Sequence, residues 1–114
     1  MLRVDNITNA PKQEFNVNLQ DKTQIGVILE YKPNQAGWFV TLTYKEQTIP
    51  NMRIVNMANM IREVKNVWGI GLRCDVKDGG EPYFIDDFQS GRAQLSFLNA
   101  DEVESLENRL YVKV

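Results

Sequence analysis

The sequence contains no histidine and only one cysteine, Cys74, among its 114 residues. Without histidine, the chain lacks the commonest metal ligand and the side chain most often used for acid/base chemistry near neutral pH. A single cysteine excludes an intramolecular disulfide and a cysteine-based zinc site. These absences argue against most classes of enzyme and metalloprotein. Because no histidine can activate its thiol, we predict that Cys74 is a small core residue.

The sequence also lacks a basic excess and a long apolar run. Thirteen Lys and Arg residues stand against fifteen Asp and Glu, which gives a net charge of −2. Nucleic-acid-binding domains of this size normally carry a positive charge, since phosphate neutralisation supplies much of their affinity. No apolar run approaches the roughly 20 residues that span a bilayer. The segment Met1–Pro11 is polar and lacks the apolar centre of a signal peptide. We therefore expect a protein that is made in the cytoplasm and that binds neither a membrane nor nucleic acid.

What is present is an ordinary globular composition, with 43% hydrophobic and 25% charged residues. The length suits one domain, and we predict a single domain over residues 1–114. Eleven asparagines and seven glutamines provide neutral hydrogen-bonding groups of the kind that suit polar, partly hydrated protein interfaces.

Apolar residues alternate with polar ones in the first half of the chain, which predicts half-buried strands. Gln13–Leu19, Gln24–Tyr31 and Trp38–Tyr44 follow this pattern and predict a three-stranded meander. Thr48–Val55 contains Pro50, so it is at most an edge strand or a broken one.

Apolar residues at helical spacing within Asn56–Val67 predict a short helix of about two turns that ends near Asn66, with Asn56 as a possible N-cap. Alternation then predicts strands over Trp68–Val76 and Arg92–Leu98. The glycines at 69 and 71 share one face of the first of these strands, which is typical of a bend or a close approach.

The end of the sequence allows two interpretations. Asn99 or Asp101 can cap a short helix that follows, whereas Leu110–Val114 can instead form a terminal strand. Taken together, the patterns predict a mainly β fold. We expect a small, partly open antiparallel barrel or sandwich of five to seven strands with one or two short helices.

Acidic residues concentrate between the last predicted strands, in the loops Lys77–Pro82 and Asp86–Gly91. Carboxylate oxygens suit Ca²⁺ or Mg²⁺, but the spacing does not match an EF-hand loop. We interpret the group as a solvated acidic rim or as residues that pair with arginines of a partner, and we predict no metal, no cofactor and no catalytic residue. The residues concerned are Asp75, Asp78, Glu81, Asp86 and Asp87.

Aromatic residues raise an alternative. Five or so strands with one helix would fit an oligonucleotide-binding barrel, in which rings stack on bases. The rings concerned are Trp38, Phe39, Tyr44 and Trp68. The alternation of the sequence instead predicts that most of these rings point inward.

The order of several short motifs resembles the small plug-type baseplate proteins of contractile-tailed bacteriophages. The resemblance covers roughly Asn9 to Val103. It rests on a Pro-x-Gln-x-Phe opening at 11–15, a strand leading into Gly37-Trp38, and an Asp-Asp-Phe-x-x-Gly-Arg segment at 86–92 before the last apolar strand.

The resemblance implies a non-enzymatic structural protein of the virion that plugs or caps the central hub and spike of the tail baseplate. It implies contacts with hub, spike and tail-tube proteins, and the symmetry of such hubs suggests a three-fold arrangement. A hub or tail-tube adaptor, the oligonucleotide-binding module and a small cell-wall hydrolase are the alternatives.

We predict that the two acidic loops and both termini carry the partner contacts, because loops on a rigid sheet usually present the binding surface. Gly91 would permit an unusual backbone angle, and Arg92 would pair with Asp86 or Asp87 and pin the loop. The predicted contact residues are Lys77, Asp78, Glu81, Asp86, Asp87, Phe88, Arg92 and Tyr111.

Overall fold

The computed structural model describes residues 1–19 and 22–110. In these residues, seven strands form two antiparallel sheets that do not close into a barrel. The predicted mainly β class is therefore confirmed. No helix in the described part of the chain is long and apolar enough to cross a membrane. The strands are β1 (Leu2–Arg3), β2 (Lys12–Asn18), β3 (Gln24–Lys32), β4 (Gly37–Tyr44), β5 (Gln47–Arg53), β6 (Gly71–Val76) and β7 (Ala93–Leu98), and the helices are α1 (Lys65–Trp68) and α2 (Ala100–Leu110).

The larger sheet has the order β2-β3-β4-β5, so each strand pairs with its neighbour in the sequence. The predicted meander is confirmed. The strand that contains Pro50 lies at the sheet edge, as expected for a residue without a backbone N–H. The register between β4 and β5 shifts between Val40 and Leu42, which is the local irregularity of a β-bulge.

The smaller sheet has the order β1-β7-β6. Its inward-facing residues and those of the larger sheet belong to one buried cluster, and the alternation of the sequence identified most of them. The cluster includes Ile25, Val27, Leu29, Trp38, Val40, Leu42 and Tyr44 from one sheet and Leu72, Cys74, Ala93, Leu95 and Phe97 from the other.

Cys74 lies fully inside this core. Burial, with a smaller contribution from the neighbouring acidic groups Asp75 and Glu81, raises the pKa of its thiol to about 12. The thiol therefore stays protonated at neutral pH, which agrees with its interpretation as a small core residue.

The short helix predicted within Asn56–Val67 begins later than its expected N-cap, Asn56, and ends at Trp68 rather than near Asn66. Helical structure is confined to a 3₁₀ turn at Arg62–Val64 and to α1, which ends at Gly69 in the left-handed conformation (φ 67°). The preceding residues extend along β6 instead, and Met57 bridges Cys74 through two backbone hydrogen bonds of 3.1 Å. Pairing with a strand that is distant in the sequence thus overrides the helical spacing.

Asn59 completes this attachment from a fully buried position. Its Oδ1 accepts the backbone N–H groups of Ile61 (3.1 Å) and Leu72 (3.2 Å). A Cβ on Gly71 would lie 3.0 Å from Asn59 Oδ1, a tighter contact than most Cβ atoms make, so glycine eases the close approach of this side chain. The predicted strand 68–76 is consequently shorter and begins at Gly71.

Trp68 belongs to α1 rather than to a strand, although it is buried as predicted. Its ring packs against Tyr44 with a centroid distance of 5.3 Å, and its Nε1–H donates to the side-chain oxygen of Gln47 (2.7 Å). The sequence pattern did not reveal the short strand β1, whose two residues pair with Phe97 and Ser96 of β7.

The predicted helix near the end of the chain is confirmed as α2, and Asn99 is its N-cap. Asn99 Oδ1 accepts the N–H of Glu102 (2.8 Å), while Glu102 Oε1 accepts the N–H of Asn99 (3.1 Å). This reciprocal pair is a capping box. The N-terminal amino group lies 2.6 Å from Glu102 Oε2, so this end of the chain is held against α2. Tyr111 and most of the alternative strand 110–114 lie outside the described residues.

Glu107 joins α2 to the segment that precedes α1. Its carboxylate receives Arg62 Nε at 2.8 Å and lies 3.4 Å from Lys65 Nζ. The hydrogen bond from Arg62 is the main reason why the pKa of Glu107 is lowered below its usual 4.5.

We expect the Glu107→Gln variant to lose less stability on acidification than the unmodified protein. A carboxyl group with a depressed folded-state pKa stabilises the fold above pH 4.5, and this contribution disappears as the pH falls through the folded-state pKa. Urea unfolding at several pH values between about 6 and about 3 measures the slope of the free energy of unfolding against pH. The control is Glu104→Gln, which removes an exposed carboxyl from the same helix. Equal slopes for both variants would contradict the assignment.

Candidate protein-contact loop

The long connection between β6 and β7, residues 77–92, is the most structured loop in the described chain. The two strands pair up to Val76 and Ala93, and Lys77 N–H donates to Arg92 O (2.9 Å) at the loop base. Loops longer than about 12 residues are uncommon in compact domains unless they serve a function. This connection, called the 77–92 loop below, contains both of the acidic segments identified in the sequence.

The Arg92 side chain, at the base of the loop, donates hydrogen bonds to three other residues of the loop. Its Nη1 donates to Asp87 Oδ2 and to the backbone oxygen of Glu81, both at 2.8 Å. Its Nε and Nη2 donate to the two carboxylate oxygens of Asp78, both at 3.1 Å. The predicted pinning by Arg92 is therefore confirmed for Asp87, whereas Asp86 forms no ion pair among the described residues.

Asp78 is the partner of Arg92 that the sequence pattern did not identify, because it lies 14 residues away along the chain. The hydrogen bond from the Arg92 side chain, followed by one from the Gly80 N–H, holds the pKa of Asp78 below its usual 3.8. At the far end of the loop, Gly91 has a φ of 84°, which confirms the predicted left-handed conformation.

Two predicted contact residues, Asp87 and Phe88, have buried side chains. Asp87 Oδ2 also accepts the backbone N–H of Phe84 (2.8 Å). Phe88 packs edge-on against Trp38, with ring centroids 5.7 Å apart. Because a buried side chain offers no surface to a partner, we correct their role: they hold the loop from within.

The sheet anchors the loop backbone from below. Trp38 Nε1–H donates to the backbone oxygen of Phe84 (3.1 Å), and the Tyr31 hydroxyl donates to the backbone oxygen of Tyr83 (2.6 Å). The Tyr31 and Trp38 rings contact each other edge-on at 5.4 Å. Two neighbouring strands, β3 and β4, thus fix two consecutive carbonyl groups of the loop.

The side chains of the same residues lie at the surface. Tyr83 is 45% exposed, Phe84 61% and Ile85 37%, and the Arg92 guanidinium carbon lies 5.9 Å from the centre of the Phe84 ring. We call Tyr83, Phe84 and Ile85 the apolar tip. Contiguous exposed apolar residues on a soluble domain mark interaction sites. The sequence signal was a run of three large apolar residues between Pro82 and Asp86, which alternation cannot explain.

Apart from Tyr111, which lies outside the described residues, the remaining predicted contact residues lie on the same loop. Lys77, Asp78 and Asp86 are exposed, whereas Glu81 is half-buried and its Oε2 accepts the backbone N–H of Asn56 (2.7 Å). The apolar tip and these acidic residues therefore belong to one loop. Whether these residues contact a partner stays a prediction.

The acidic residues do not gather around an empty space. Asp78 and Asp87 surround Arg92, and Asp75 pairs with Arg73 at 2.9 Å. Within residues 1–19 and 22–110, no group of three or more Cys, Asp or Glu side chains has a metal-binding arrangement.

Three of the four rings considered for stacking on bases, Trp38, Tyr44 and Trp68, belong to the core. The described chain buries all four, namely Trp38, Phe39, Tyr44 and Trp68. Phe39 lies on the outer face of the sheet, where the side chains of Lys32 and Arg53 cover it. None of these rings is available as a stacking platform.

Neither a comparison with protein-family models nor one with curated proteins finds a match for this chain.

Proposed function

We propose that the protein is a structural, non-enzymatic component of a contractile phage tail baseplate that plugs or caps the central hub through protein–protein contacts. The observation that carries the protein-binding part of this proposal is the apolar tip, exposed on a backbone that Tyr31, Trp38 and Arg92 hold in place. The order of the motifs in residues 9–103 supports the baseplate part of the proposal. It makes hub, spike or tail-tube proteins the proposed partners of the apolar tip.

The physical advantage of such a loop is preorganisation. Binding costs conformational entropy when a flexible segment becomes ordered, and a loop that is already fixed avoids most of this cost. Aromatic side chains at the centre of an interface commonly supply the largest share of the binding energy. Tyr83 and Phe84 combine both properties, because their backbone is fixed and their rings are exposed.

The proposed mechanism is occlusion followed by release. Complementary contacts between the loop and the hub keep the tail end sealed, and rearrangement of the hub on contraction separates them. Three copies would follow the three-fold symmetry that we propose for the hub. The protein would be assembled in the host cytoplasm and carried in the virion.

We expect Phe84→Asp to weaken binding to the hub protein of the same phage by about 30-fold, the effect of losing an interface side chain worth about 2 kcal/mol. Isothermal titration calorimetry with purified hub, spike and tail-tube proteins measures this change. The matched control is Val67→Asp, which places the same charge at an exposed apolar residue (69% exposed) on α1. Both variants should retain the unfolding temperature of the unmodified protein.

Equal binding by Phe84→Asp and the unmodified protein would show that the apolar tip is not part of the interface. Binding to none of the three baseplate proteins would contradict the baseplate assignment itself. A titration with single-stranded DNA tests the oligonucleotide-binding alternative, which predicts saturable binding that weakens steeply with salt. The net charge of −2 disfavours that outcome, because the sequence lacks the basic excess that neutralises phosphates.

A further inference from the structure

The two sheets have four edge strands, and three of these edges are covered or blocked. β6 is covered by the segment before α1, since Met57 bridges Cys74 and the Met60 N–H donates to Leu72 O (2.7 Å). β5 contains Pro50 and pairs with β4 through a register shift, and β1 has only two residues. Proline, bulges and short length are devices by which soluble proteins prevent an edge from pairing with another chain. Among the described strands, only β2 is an edge strand that has none of these three devices.

The open side of β2 presents the backbone groups of alternate residues. The Tyr31 N–H donates to Pro11 O (2.7 Å) before the strand, and the Leu19 N–H donates to Thr23 O (2.8 Å) after it. In an antiparallel pair, residues that exchange hydrogen bonds alternate with residues that do not. The odd-numbered residues of β2 therefore bond to β3, and the N–H and C=O groups of the even-numbered ones point away from it. No turn, loop or side-chain hydrogen bond of residues 1–19 and 22–110 uses these outward groups, which belong to Lys12, Glu14, Asn16 and Asn18.

A strand added at this edge would also bury apolar surface. Phe15 and Val17 pack against the core, but at the sheet edge both are only half-buried. An added strand covers them best if it has apolar residues on the same face and polar residues between them. In a second copy of the protein, the open edge of matching length is β2 itself, and β2 has this alternation. The complementary strand is therefore present in every copy of the protein.

We propose that two copies of the protein pair through β2 in antiparallel orientation, so that their larger sheets become one continuous sheet across a two-fold axis. All seven residues overlap in only one register, in which Phe15 faces Phe15 of the second copy. Glu14 then faces Asn16, and Lys12 faces Asn18, so no charge lies directly opposite another charge. The outward backbone groups also face each other and can bond across the axis. Such an isologous contact is separate from the three-fold arrangement proposed for the hub.

Sedimentation equilibrium of the purified protein tests the pairing, and we expect a monomer–dimer equilibrium with a dissociation constant below about 1 mM. Asn16→Pro should abolish the dimer, because it removes an N–H from the open side of β2. The ladder between β2 and β3 does not use this N–H, and proline is tolerated at such edge positions. The matched control is Asn16→Thr, which keeps the N–H and suits a strand, so it should dimerise like the unmodified protein. Thermal unfolding checks that both variants fold.

Two substitutions at the exposed residue Asn18 test the register, and they decide the proposal if Asn16→Pro fails to fold. Because Lys12 of each copy faces Asn18 of the other, Asn18→Asp adds two opposite-charge pairs to the dimer and Asn18→Lys adds two like-charge pairs. We expect dimerisation to become about fivefold tighter in the first variant and about fivefold weaker in the second. General repulsion between copies of net charge −2 predicts the reverse order, because lysine reduces that charge and aspartate increases it.

A protein that stays monomeric up to about 1 mM would overturn the pairing. A dimer that persists in a folded Asn16→Pro variant would overturn the role of the β2 edge, and a reversed or absent effect at Asn18 would overturn the register. If hydrogen exchange showed protection of the outward β2 amides only after the hub protein is added, the edge would belong to a hub strand and not to a second copy. The contact uses no residue of the 77–92 loop, so Phe84→Asp should leave dimerisation unchanged.

Discussion

Replacing Trp38 by alanine is expected to cost about 4 kcal/mol of folding free energy, the typical loss for a large buried aromatic side chain. The side chain is fully buried, packs against Tyr31 and Phe88, and donates to the backbone oxygen of Phe84. Its removal leaves a cavity under the 77–92 loop and frees one of the two fixed carbonyl groups. Urea unfolding measures the energy, and amide hydrogen exchange at residues 83–88 measures the release of the loop.

Two control variants separate these effects. Trp38→Phe retains most of the packing but lacks the N–H donor, so it should cost about 1–2 kcal/mol and still accelerate exchange in the loop. Trp68→Ala removes the other buried tryptophan, which donates to Gln47 and packs against Tyr44. It should destabilise the fold while leaving the loop and its binding intact. If Trp68→Ala accelerated loop exchange as much as Trp38→Ala, the anchoring role of Trp38 would be refuted.

Replacing Asp87 by alanine should cost about 2–3 kcal/mol, because the change removes a buried carboxylate and leaves its two donors unpaired. These donors are the Phe84 N–H and Arg92 Nη1, both 2.8 Å from Asp87 Oδ2. Arg92 would keep Asp78, which lies nearer to solvent. We expect the apolar tip to lose its fixed position, so that hub binding weakens although the tip residues are unchanged.

The adjacent residue supplies the comparison for this experiment. Asp86 is exposed and has no ion pair among the described residues, so Asp86→Ala should change stability by less than about 0.5 kcal/mol. Thermal and urea unfolding of both variants provide the test. Similar losses of stability in the two variants would mean that the ion pair between Arg92 and Asp87 does not stabilise the loop. A selective loss of hub binding in Asp86→Ala would support the predicted contact at that residue.

The apolar tip shows why part of the site was not predictable. Its three residues are visible in the sequence as an apolar run, and an apolar run normally predicts burial. Their exposure follows from hydrogen bonds that Tyr31 and Trp38 make to residues 52 and 46 positions away. Because these bonds hold the backbone carbonyls towards the sheet, the side chains lie at the surface. No local pattern contains that information.

Arg92 illustrates an intermediate case. Its pairing with Asp87 is a contact over five residues, and the sequence predicted it as one of two options. The choice between Asp86 and Asp87 depended on which side chain points inward, and that is decided by the packing of Phe88 on Trp38. The additional pairing with Asp78 required the β6–β7 hairpin, whose register brings the two ends of the loop together.

The sequence by itself determined the features that depend on local chemistry. Alternation predicted three strands of the larger sheet and their inward faces, Pro50 limited the fourth to an edge or broken strand, and Asn99 was one of two caps that the sequence allowed for the last helix. Tertiary structure alone decided the course of residues 56–70, where pairing of Met57 with Cys74 replaced a helix. It also decided the position of the apolar tip and the convergence of Lys32 and Arg53 on Phe39. The reason is the same in each case: the contacts join residues far apart in the sequence, and their energy exceeds the small local preferences that a sequence pattern reports.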